Sequence, residues 1–406
     1  MTGVDEAITR AHRQEWAQVV ATLARRLGDL DIAEEMAAEA FATAVERWPV
    51  DGVPPKPGAW LTTTAYRKAV DRLRREARRE EKHKEALMLS DPPEPVGAID
   101  DDRLRLVFTC CHPALAMEAR VALTLRMVGG LTVAEIAQAF LVQETAMGQR
   151  ITRAKAKIKA ARIPYRVPSR EDLPARVTAV LAVLYLIFNE GYLTSQAGPA
   201  AVRGDLTAEA IRLTRLVREL MPADGEVAGL LALMLLTEAR RTARVSAAGE
   251  LVPLDEQDRG AWDRELIAEG HALVRARLAA GEAPGRYQIL AAVNAVHTDA
   301  PDARDTDWSQ VLALYDQLAR LDPSPIVRLN RAIAVAELDG PQAALAQVDA
   351  LPLEGYHPFH ATRAYLLRRL GRSGESRAAY DRAIALAGNA AERAYLIRRR
   401  DQLAAA

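Results

Sequence analysis

The sequence predicts an all-α protein with more than one domain. Ala, Leu and Arg dominate, whereas Phe and Trp contribute five residues each and Tyr ten, a composition that favours helices over strands. Apolar residues recur every three or four positions through most of the chain, which is the spacing of amphipathic helices. At 406 residues the chain exceeds the usual size of a single hydrophobic core. We therefore predict two or three helical domains.

The first domain is predicted at residues 1–89. Helical spacing covers residues 5–48, with an apolar stripe from Ile32 to Trp48. Residues 29–46 contain six acidic residues and no Lys or Arg, so a strongly acidic face opposes the stripe. The prolines between Pro49 and Pro57 are expected to break this helix, and a further helix runs from Ala59 to about Leu89. An acidic, proline-rich linker is predicted at 90–102.

The helix after Ala59 combines aromatic residues with a dense basic face. Nine Lys or Arg residues occur between Arg67 and Lys84, close to Trp60 and Tyr66. Such a mixture suits single-stranded or melted nucleic acid, because bases stack on rings while cations follow the backbone. The alternative is a surface helix whose arginines are paired with glutamates.

A second domain is predicted at 103–162, and it contains a helix-turn-helix pattern. Thr132 and Glu135 form a capping box at the start of a short helix with a buried apolar face. A turn at 141–143 leads to a second helix at 144–159, which is rich in Thr, Gln, Arg and Lys. Two helices joined in this way place the second across the first, where it fits a major groove.

The second helix of this pattern provides candidate DNA contacts. Its early positions are predicted to face base edges and its later ones to face phosphates. The predicted base-facing residues are Thr145, Ala146, Gln149 and Arg150, and the predicted phosphate-facing residues are Arg153, Lys155 and Lys157. The alternative is a solvated basic face on an ordinary helical hairpin, which the missing turn glycine and the poor cap at Gln143 favour.

A third domain is predicted at 175–406, after a linker at 163–174. Successive helices are expected there, and two similar segments near its end, 329–351 and 360–386, each contain an Ala/Leu-rich helix that ends at a glycine. Those glycines, Gly340 and Gly371, have a spacing close to the period of tetratricopeptide hairpins, so we predict a repeat-like helical solenoid.

The N-terminal half resembles the extracytoplasmic-function (ECF) group of bacterial RNA polymerase sigma factors. The segment 34–41 with Trp48 resembles region 2.2, which in that family docks on the β′ clamp helices, and 59–75 resembles regions 2.3 and 2.4, which open and read the −10 element. By this resemblance, the polymerase-binding residues are Asp31, Glu34, Glu35, Glu39, Phe41 and Trp48. The corresponding −10 DNA-binding residues are Trp60, Tyr66, Arg67, Lys68, Arg72, Arg74 and Arg75.

The segment from Leu115 to Lys159 resembles region 4 of the same family, which reads the −35 element. The family often has Asn where Arg67 stands, and this departure concerns −10 specificity. Residues 109–113, 184–192 and 305–308 resemble one subgroup whose tetratricopeptide-like C-terminal extension regulates the sigma factor. The resemblance implies as partners polymerase core enzyme, through the β′ clamp helices and β flap, promoter DNA, and a small regulatory protein bound by the extension.

The chain is not expected to be an enzyme, because it has no phosphate loop, nucleophile elbow or zinc-protease motif. No cofactor or metal is expected, since the adjacent Cys110 and Cys111 do not readily face one ion and fit a buried helix better. The longest apolar run, Val177 to Phe188, is short for a membrane span, so a cytoplasmic protein is expected. A peptide-binding scaffold and a one-domain activator remain as alternatives, and the segment 189–192 has no assigned role.

Overall fold

In a computed structural model, the residues that the structure describes are largely helical, and their one β-contact is an isolated bridge between Val245 and Leu251. The all-α prediction is confirmed. The chain divides into two compact units, Met1–Leu186 and Ile187–Ala406, so the segments predicted as separate domains at 1–89 and 103–162 share the first unit. The described residues are 3–79, 102–140, 142–169, 171–192, 204–246, 251–388 and 390–404.

The first unit contains a three-helix N-terminal bundle, a helix-turn-helix module, and the start of a long apolar helix. The bundle consists of α1 (Gly3–Leu27), α2 (Leu30–Asp51) and α3 (Pro57–Arg79). The helix-turn-helix module consists of α4 (Asp102–Cys110), α5 (Met117–Met127), α6 (Val133–Ala139) and α7 (Glu144–Ala160), and α8 spans Leu173–Tyr192.

Two predicted segments fall partly outside the described residues. Residues 80–89, predicted to continue α3, lie outside them, as does most of the linker predicted at 90–102. The last residue of that linker, Asp102, already begins α4. The linker predicted at 163–174 is shorter than expected, because α8 begins at Leu173.

The segment with helical spacing at 5–48 forms two helices. Gly28 ends α1 with a φ of +67°. Asp29 is the N-cap of α2, and its carboxylate accepts hydrogen bonds from the Asp31 and Ile32 amides. Pro49 does not break α2 where expected. Pro49 removes one backbone donor close to the end of the helix, yet α2 continues to Asp51 with Gly52 as its C-cap at a φ of +84°.

The helix-turn-helix module is built on the deeply buried α4. Every residue of α4 from Leu104 to Cys110 is buried, and the Cys111 Sγ lies 3.4 Å from the Thr124 hydroxyl of α5. Burial raises the pKa of the Cys110 thiol well above its usual range and that of Cys111 to about 11, so both thiols stay protonated at neutral pH. The two cysteines therefore serve packing, as the sequence indicated.

Helix α8 is strongly apolar, with a mean hydropathy of 1.4 over its most apolar window. Within the described residues it is the one helix long and apolar enough to cross a membrane, a test that core helices of soluble proteins also pass. Its inward positions are buried. They are Val177, Val180, Leu181, Val183, Leu184, Ile187 and Phe188.

The polar end of α8, for which the sequence predicts no role, belongs to the second unit and contacts an arginine of that same unit. The Tyr192 ring stacks on Phe188 at a centroid distance of 6.0 Å. The Arg244 guanidinium lies over the Tyr192 ring, 3.2 Å from its centroid, and also donates to the Tyr192 carbonyl at 2.5 Å. Tyr192 therefore has a packing role at this helix end.

In the second unit α10 is enclosed by three neighbouring helices, α9, α12 and α13, and all its residues from Val227 to Glu238 are buried. Gly229 lets α10 approach the backbone of Gln288 closely. The helices of this unit after α8 are α9 (Gly204–Leu220), α10 (Gly225–Glu238), α11 (Arg241–Arg244), α12 (Arg264–Ala279), α13 (Arg286–Asp299), α14 (Trp308–Leu321), α15 (Pro325–Leu338), α16 (Pro341–Asp349), α17 (His357–Arg369), α18 (Ser373–Leu386) and α19 (Ala390–Asp401).

The two segments predicted as repeats are two helical hairpins, α15–α16 and α17–α18. Their glycines both adopt left-handed backbone, with a φ of +89° at Gly340 and +71° at Gly371. A common apolar core joins the hairpins, and the buried Ser376 hydroxyl donates to the Ala364 carbonyl at 2.8 Å. The hairpins fit a repeat architecture, and the tetratricopeptide assignment stays a prediction.

Candidate nucleic-acid and polymerase interface

The capping box predicted at the start of α6 is present. The Glu135 amide donates to the Thr132 hydroxyl oxygen at 3.1 Å, and the Thr132 amide donates to the Glu135 carboxylate at 2.7 Å. Each residue therefore satisfies an amide that the first helical turn leaves without an acceptor. This reciprocal cap fixes the start of α6, the first helix of the helix-turn-helix.

Helix α7 divides cleanly into a buried face and an outward face. The buried face consists of Met147, Ile151, Ala154 and Ile158. On the outward face, Thr145, Ala146 and Gln149 are exposed and Arg150 is half-buried. The four predicted base-facing residues thus lie together on the first two turns. The Gln143 N-cap makes no side-chain cap hydrogen bond, in agreement with its poor rank as a cap.

The three predicted phosphate-facing residues have different environments. Arg153 and Lys157 are exposed, and the Arg153 Nε donates to the Gln149 carbonyl at 3.2 Å. Lys155 is not free for a phosphate in this conformation. Its Nζ lies 2.5 Å from an Asp31 carboxylate oxygen and 2.7 Å from a Glu34 carboxylate oxygen, both on α2.

Lys155 also has an altered pKa. Burial lowers the pKa of its ammonium group, but the hydrogen bonds and charges of Asp31 and Glu34 more than compensate, and the net direction is upward. Lys155 is therefore positively charged at neutral pH, although its side chain is only 11% exposed. The sequence shows the charge of Lys155 but not this pairing, because Asp31 lies 124 positions away along the chain.

The acidic face of α2 comprises Asp29, Asp31, Glu34, Glu35 and Glu39. Asp31, Glu35 and Glu39 are exposed, whereas Asp29 and Glu34 are half-buried. All five thus remain outside the apolar core of the bundle, as the charge segregation of the sequence predicts.

Phe41 and Trp48, predicted to bind polymerase, lie instead in the core of the bundle, with exposures of 7% and 1%. Their assignment to a docking surface is therefore corrected. The Phe41 ring packs on Trp16 of α1, with ring centroids 5.8 Å apart, and the Trp48 ring meets the Trp60 ring edge-on at 5.6 Å. Both are large apolar side chains in the helical stripe that the bundle buries, so they position α2 against α1 and α3.

The predicted −10 residues all lie on α3 but differ in their contacts. Arg67, Arg74 and Arg75 are exposed. Lys68 forms an ion pair with Glu39 at 3.3 Å, and Arg72 forms one with Glu35. The basic helix and the acidic face of α2 thus neutralise each other in part, as expected from the alternative interpretation of α3 as a charge-paired surface helix.

An open cavity of about 800 Å³ lies between α1 and α3, beside the predicted −10 residues. The Tyr66 ring lines it, with the Arg26 guanidinium 5.0 Å from the ring centroid. Gly58 belongs to its wall, where a Cβ would collide with the Glu15 carboxylate. The sequence prediction includes Tyr66 but not its cavity neighbours. Among these, Arg26 lies on α1, Lys56 lies in the turn before α3, and Thr62 and Thr63 lie on α3 itself.

Two known protein families match the segments that form these surfaces. The family described as Sigma-70 region 2 matches residues 12–79, and Sigma-70, region 4 matches residues 105–158. The chain is 30% identical over 199 residues to a probable ECF RNA polymerase sigma factor SigI of Mycobacterium tuberculosis, covering 46% of this chain and 67% of that protein. It is also 32% identical over 145 residues to the ECF RNA polymerase sigma factor SigK of Mycobacterium ulcerans, covering 34% and 75%. The chain belongs to the ECF sigma factors.

The extension of this sigma factor has its own matches. A family of unknown function (DUF6596) matches residues 176–278. An uncharacterized protein of Rhizobium meliloti is 46% identical over 398 residues, covering 96% of the sigma factor and 94% of that protein, so the extension and the sigma regions occur together in both. No solved structure matches the chain.

Proposed function

We propose that this sigma factor brings RNA polymerase core enzyme to specific promoters, where α7 reads the −35 duplex and the N-terminal bundle holds melted −10 DNA. The observation that carries the proposal is the juxtaposition in one unit of a complete helix-turn-helix and a basic helix beside an open cavity. Each feature suits a different form of DNA, duplex for the first and unpaired strand for the second.

At the −35 element, the proposed contacts follow from the exposure of α7. Thr145, Ala146, Gln149 and Arg150 occupy the end of the helix that enters the major groove, where hydrogen bonds to base edges discriminate sequence. Arg153 and Lys157 lie on later turns and neutralise phosphates. Lys155 joins them only after it leaves Asp31 and Glu34.

At the −10 element, the cavity between α1 and α3 is the proposed receptor for an unpaired base. An aromatic ring in its wall supports stacking, which is largely independent of base identity. Tyr66 supplies the ring, and Arg26 and Lys56 supply cations for the backbone. The exposed Arg67, Arg74 and Arg75 extend this positive surface along α3. Trp60 is half-buried and packs against Trp48, so we propose that it holds α3 in position and does not contact DNA directly.

For polymerase docking, we propose the exposed carboxylates of the acidic face of α2. Charges of one sign on a rigid helix provide electrostatic complementarity to a basic partner and speed the encounter. Asp31, Glu35 and Glu39 are the exposed members. The docking sites on polymerase that we propose are the β′ clamp helices for α2 and the β flap for the helix-turn-helix module.

For the second unit, we propose regulation of the sigma regions, with a small regulatory protein as its candidate partner. Helical hairpins stacked on a common core, as in α15–α18, present extended surfaces that suit peptide or protein partners. We place the protein in the cytoplasm with its polymerase, and we propose that it acts by binding and makes or breaks no bond itself.

Reconstituted transcription tests the proposed function. Purified sigma factor is added to polymerase core enzyme that lacks any other sigma factor, with sheared genomic DNA of its own host as template, and the 5′ ends of the transcripts are sequenced. Initiation at a small set of reproducible start sites supports the proposal. Transcripts no different from those of core enzyme alone would reject it, and would favour a scaffold or a one-domain activator.

A further inference from the structure

The second unit contains an apolar cavity that lies between four helices. Its volume is about 240 Å³, and its walls come from α10, α12, α13 and α14, with the loop after α12 at its edge. Every lining residue belongs to the second unit, so the cavity is complete without the sigma regions. The apolar side chains that line it include Ala228, Ala232, Leu273, Val274, Ala292 and Leu314.

Small residues create this space. Ala228, Gly229 and Ala232 line the cavity from α10, and Ala291 and Ala292 line it from α13. Larger apolar side chains at such positions would fill the void, and an unfilled apolar void lowers stability in proportion to its volume. A cavity of this size with apolar walls and a few polar groups has the character of a ligand site.

A cation, Arg277 of α12, lies at the cavity and is held in place by its neighbours. Its Nε donates to the Gln288 side-chain oxygen at 3.3 Å, and the Gln288 side-chain nitrogen donates to the Glu226 carboxylate at 3.3 Å. Two glycines of α10 make room for these groups. A Cβ at Gly225 would lie 2.7 Å from the Arg277 Nη2. A Cβ at Gly229 would lie 2.6 Å from the Gln288 backbone nitrogen.

The ion pair of Arg277 at the mouth of the cavity can be exchanged for another. The Arg277 Nη2 donates to the carboxylate of Glu282, whose side chain is 68% exposed in the loop after α12. Exposed ion pairs contribute little to stability, so a second carboxylate can replace Glu282 at small cost. Gln317 of α14 also lines the cavity, and its side chain makes no hydrogen bond to another residue that the structure describes.

We propose that this cavity binds a small apolar carboxylic acid, with its hydrocarbon body between the four helices and its carboxylate on Arg277 in place of Glu282. An apolar cavity of about 150 Å³ accommodates benzene, so one of about 240 Å³ accommodates a ring or a branched chain with a short acid arm. Gln317 provides a further hydrogen-bond donor in the wall. The inference goes beyond the proposed function, because it makes the second unit a receptor for a small molecule and requires neither polymerase nor DNA.

Calorimetric titration of the full chain with 3-phenylpropanoate and with 4-methylpentanoate tests the site. The first acid carries a ring and the second a branched chain, and both are ionised at neutral pH. At least one of them should bind saturably, with a dissociation constant of about 1 mM or tighter, as suits a small ligand in a mostly apolar site. Absence of saturable binding for both acids would overturn the proposal.

The neutral amide of each acid tests the role of charge. An amide has nearly the same shape as its acid but no negative charge, so it should bind about tenfold more weakly. Arg277→Met removes the cation and keeps an unbranched apolar chain, so in this variant the affinity for the acid should fall to that for the amide. Equal affinities of acid and amide for the wild type would contradict recognition of a carboxylate.

Two alanine-to-leucine variants test whether the ligand occupies the cavity. Ala292 lines the cavity from α13, so Ala292→Leu places a larger side chain in the space and should abolish binding. Ala276→Leu is the matched control, because Ala276 is exposed on α12 and is not part of the lining. It should bind the acid as the wild type does. If both variants retain binding, the acid binds elsewhere and the assignment of the cavity fails.

Glu282→Gln covers the case in which Ala292→Leu fails to fold, because Glu282 is an exposed loop residue. The variant removes the carboxylate that competes for Arg277, so it should bind the acid about threefold more tightly and the amide as before. An unchanged affinity for the acid would contradict the displacement of Glu282. Failure of the proposed function gives a different pattern, in which the chain binds the acid but does not start promoter-specific RNA with core enzyme.

Discussion

At the scale of single residues, Arg150 and Arg153 separate the reading of sequence from the neutralisation of phosphate. Arg150 is half-buried near the start of α7, whereas Arg153 is exposed one turn later. If Arg150 reads a base, Arg150→Ala should cost about 1–3 kcal/mol on a selected −35 duplex and relax specificity there. Arg153→Ala should weaken cognate and scrambled duplexes alike.

Fluorescence anisotropy with a duplex obtained by selection, and with a scrambled duplex of the same composition, measures both effects. Equal losses on the two duplexes for Arg150→Ala would reduce Arg150 to a phosphate contact. The comparison is internally matched, because both residues are arginines on one helix and both variants leave alanine, the best helix former.

His297 in the second unit predicts a dependence of stability on pH. Burial, with Arg240 and Arg259 nearby, lowers the pKa of His297 from 6.5 to about 4, and its ring meets the Trp308 ring edge-on. Between these pH values the unfolded chain binds a proton that the folded protein does not, so stability falls as the pH falls. At about 1.4 kcal/mol for each pKa unit, the full loss is about 3 kcal/mol.

Urea unfolding of wild type and His297→Gln at pH 7.5 and pH 4.5 checks this prediction. Other groups titrate in the same range, so the informative quantity is the difference between the two proteins. At pH 4.5 His297 is almost fully protonated in the unfolded chain but still largely neutral in the folded protein. Between pH 7.5 and pH 4.5, the wild type should therefore lose about 2–3 kcal/mol more free energy of unfolding than the variant, in the transition that unfolds α13. Parallel losses in the two proteins would contradict the lowered pKa of His297.

At the scale of elements, the capping box of α6 should contribute measurably to the stability of the helix-turn-helix module. Thr132→Ala removes the hydroxyl that accepts from the Glu135 amide and should destabilise the module by about 1 kcal/mol. Thr132→Ser keeps the hydroxyl and should be close to neutral. Chemical unfolding followed by circular dichroism compares the three proteins. If Thr132→Ser lowers the free energy of unfolding as much as Thr132→Ala does, the lost cap is excluded as the cause.

Elements that are set by local chemistry are predictable from the sequence, and this cap is the clearest case. Both of its partners lie within four residues, and the apolar spacing of α7 identifies its buried face. The division of α1 from α2 is equally local, since Gly28 followed by Asp29 signals a helix end and a new N-cap. Apolar spacing over 5–48 indicates helix, as found, but it does not mark the break between α1 and α2. Pro49 lies in the last turn of α2, so only two helical residues follow the backbone donor that it removes.

At the scale of the whole molecule, the sequence indicates which residues carry charge but not which charges meet. The segregation of acids at 29–46 and of bases at 148–170 is visible, and it predicts two surfaces for two external partners. In the first unit some of these charges meet each other, through contacts such as Lys155 with Glu34. Periodicity within a helix determines its faces, but only tertiary packing determines what covers them.

Lys155 therefore has two roles, which Lys155→Gln and Lys157→Gln together can separate. Lys157 is exposed, and within the described part of the chain it makes no ion pair. In the holoenzyme both variants should lose one phosphate contact, which lowers the slope of log affinity against log salt by about 0.9. Only Lys155→Gln also loosens the contact with Asp31 and Glu34, so it alone should bind core enzyme more tightly, by about fivefold. If both variants bind core enzyme equally, the pairing of Lys155 with Asp31 and Glu34 does not hinder the binding of polymerase.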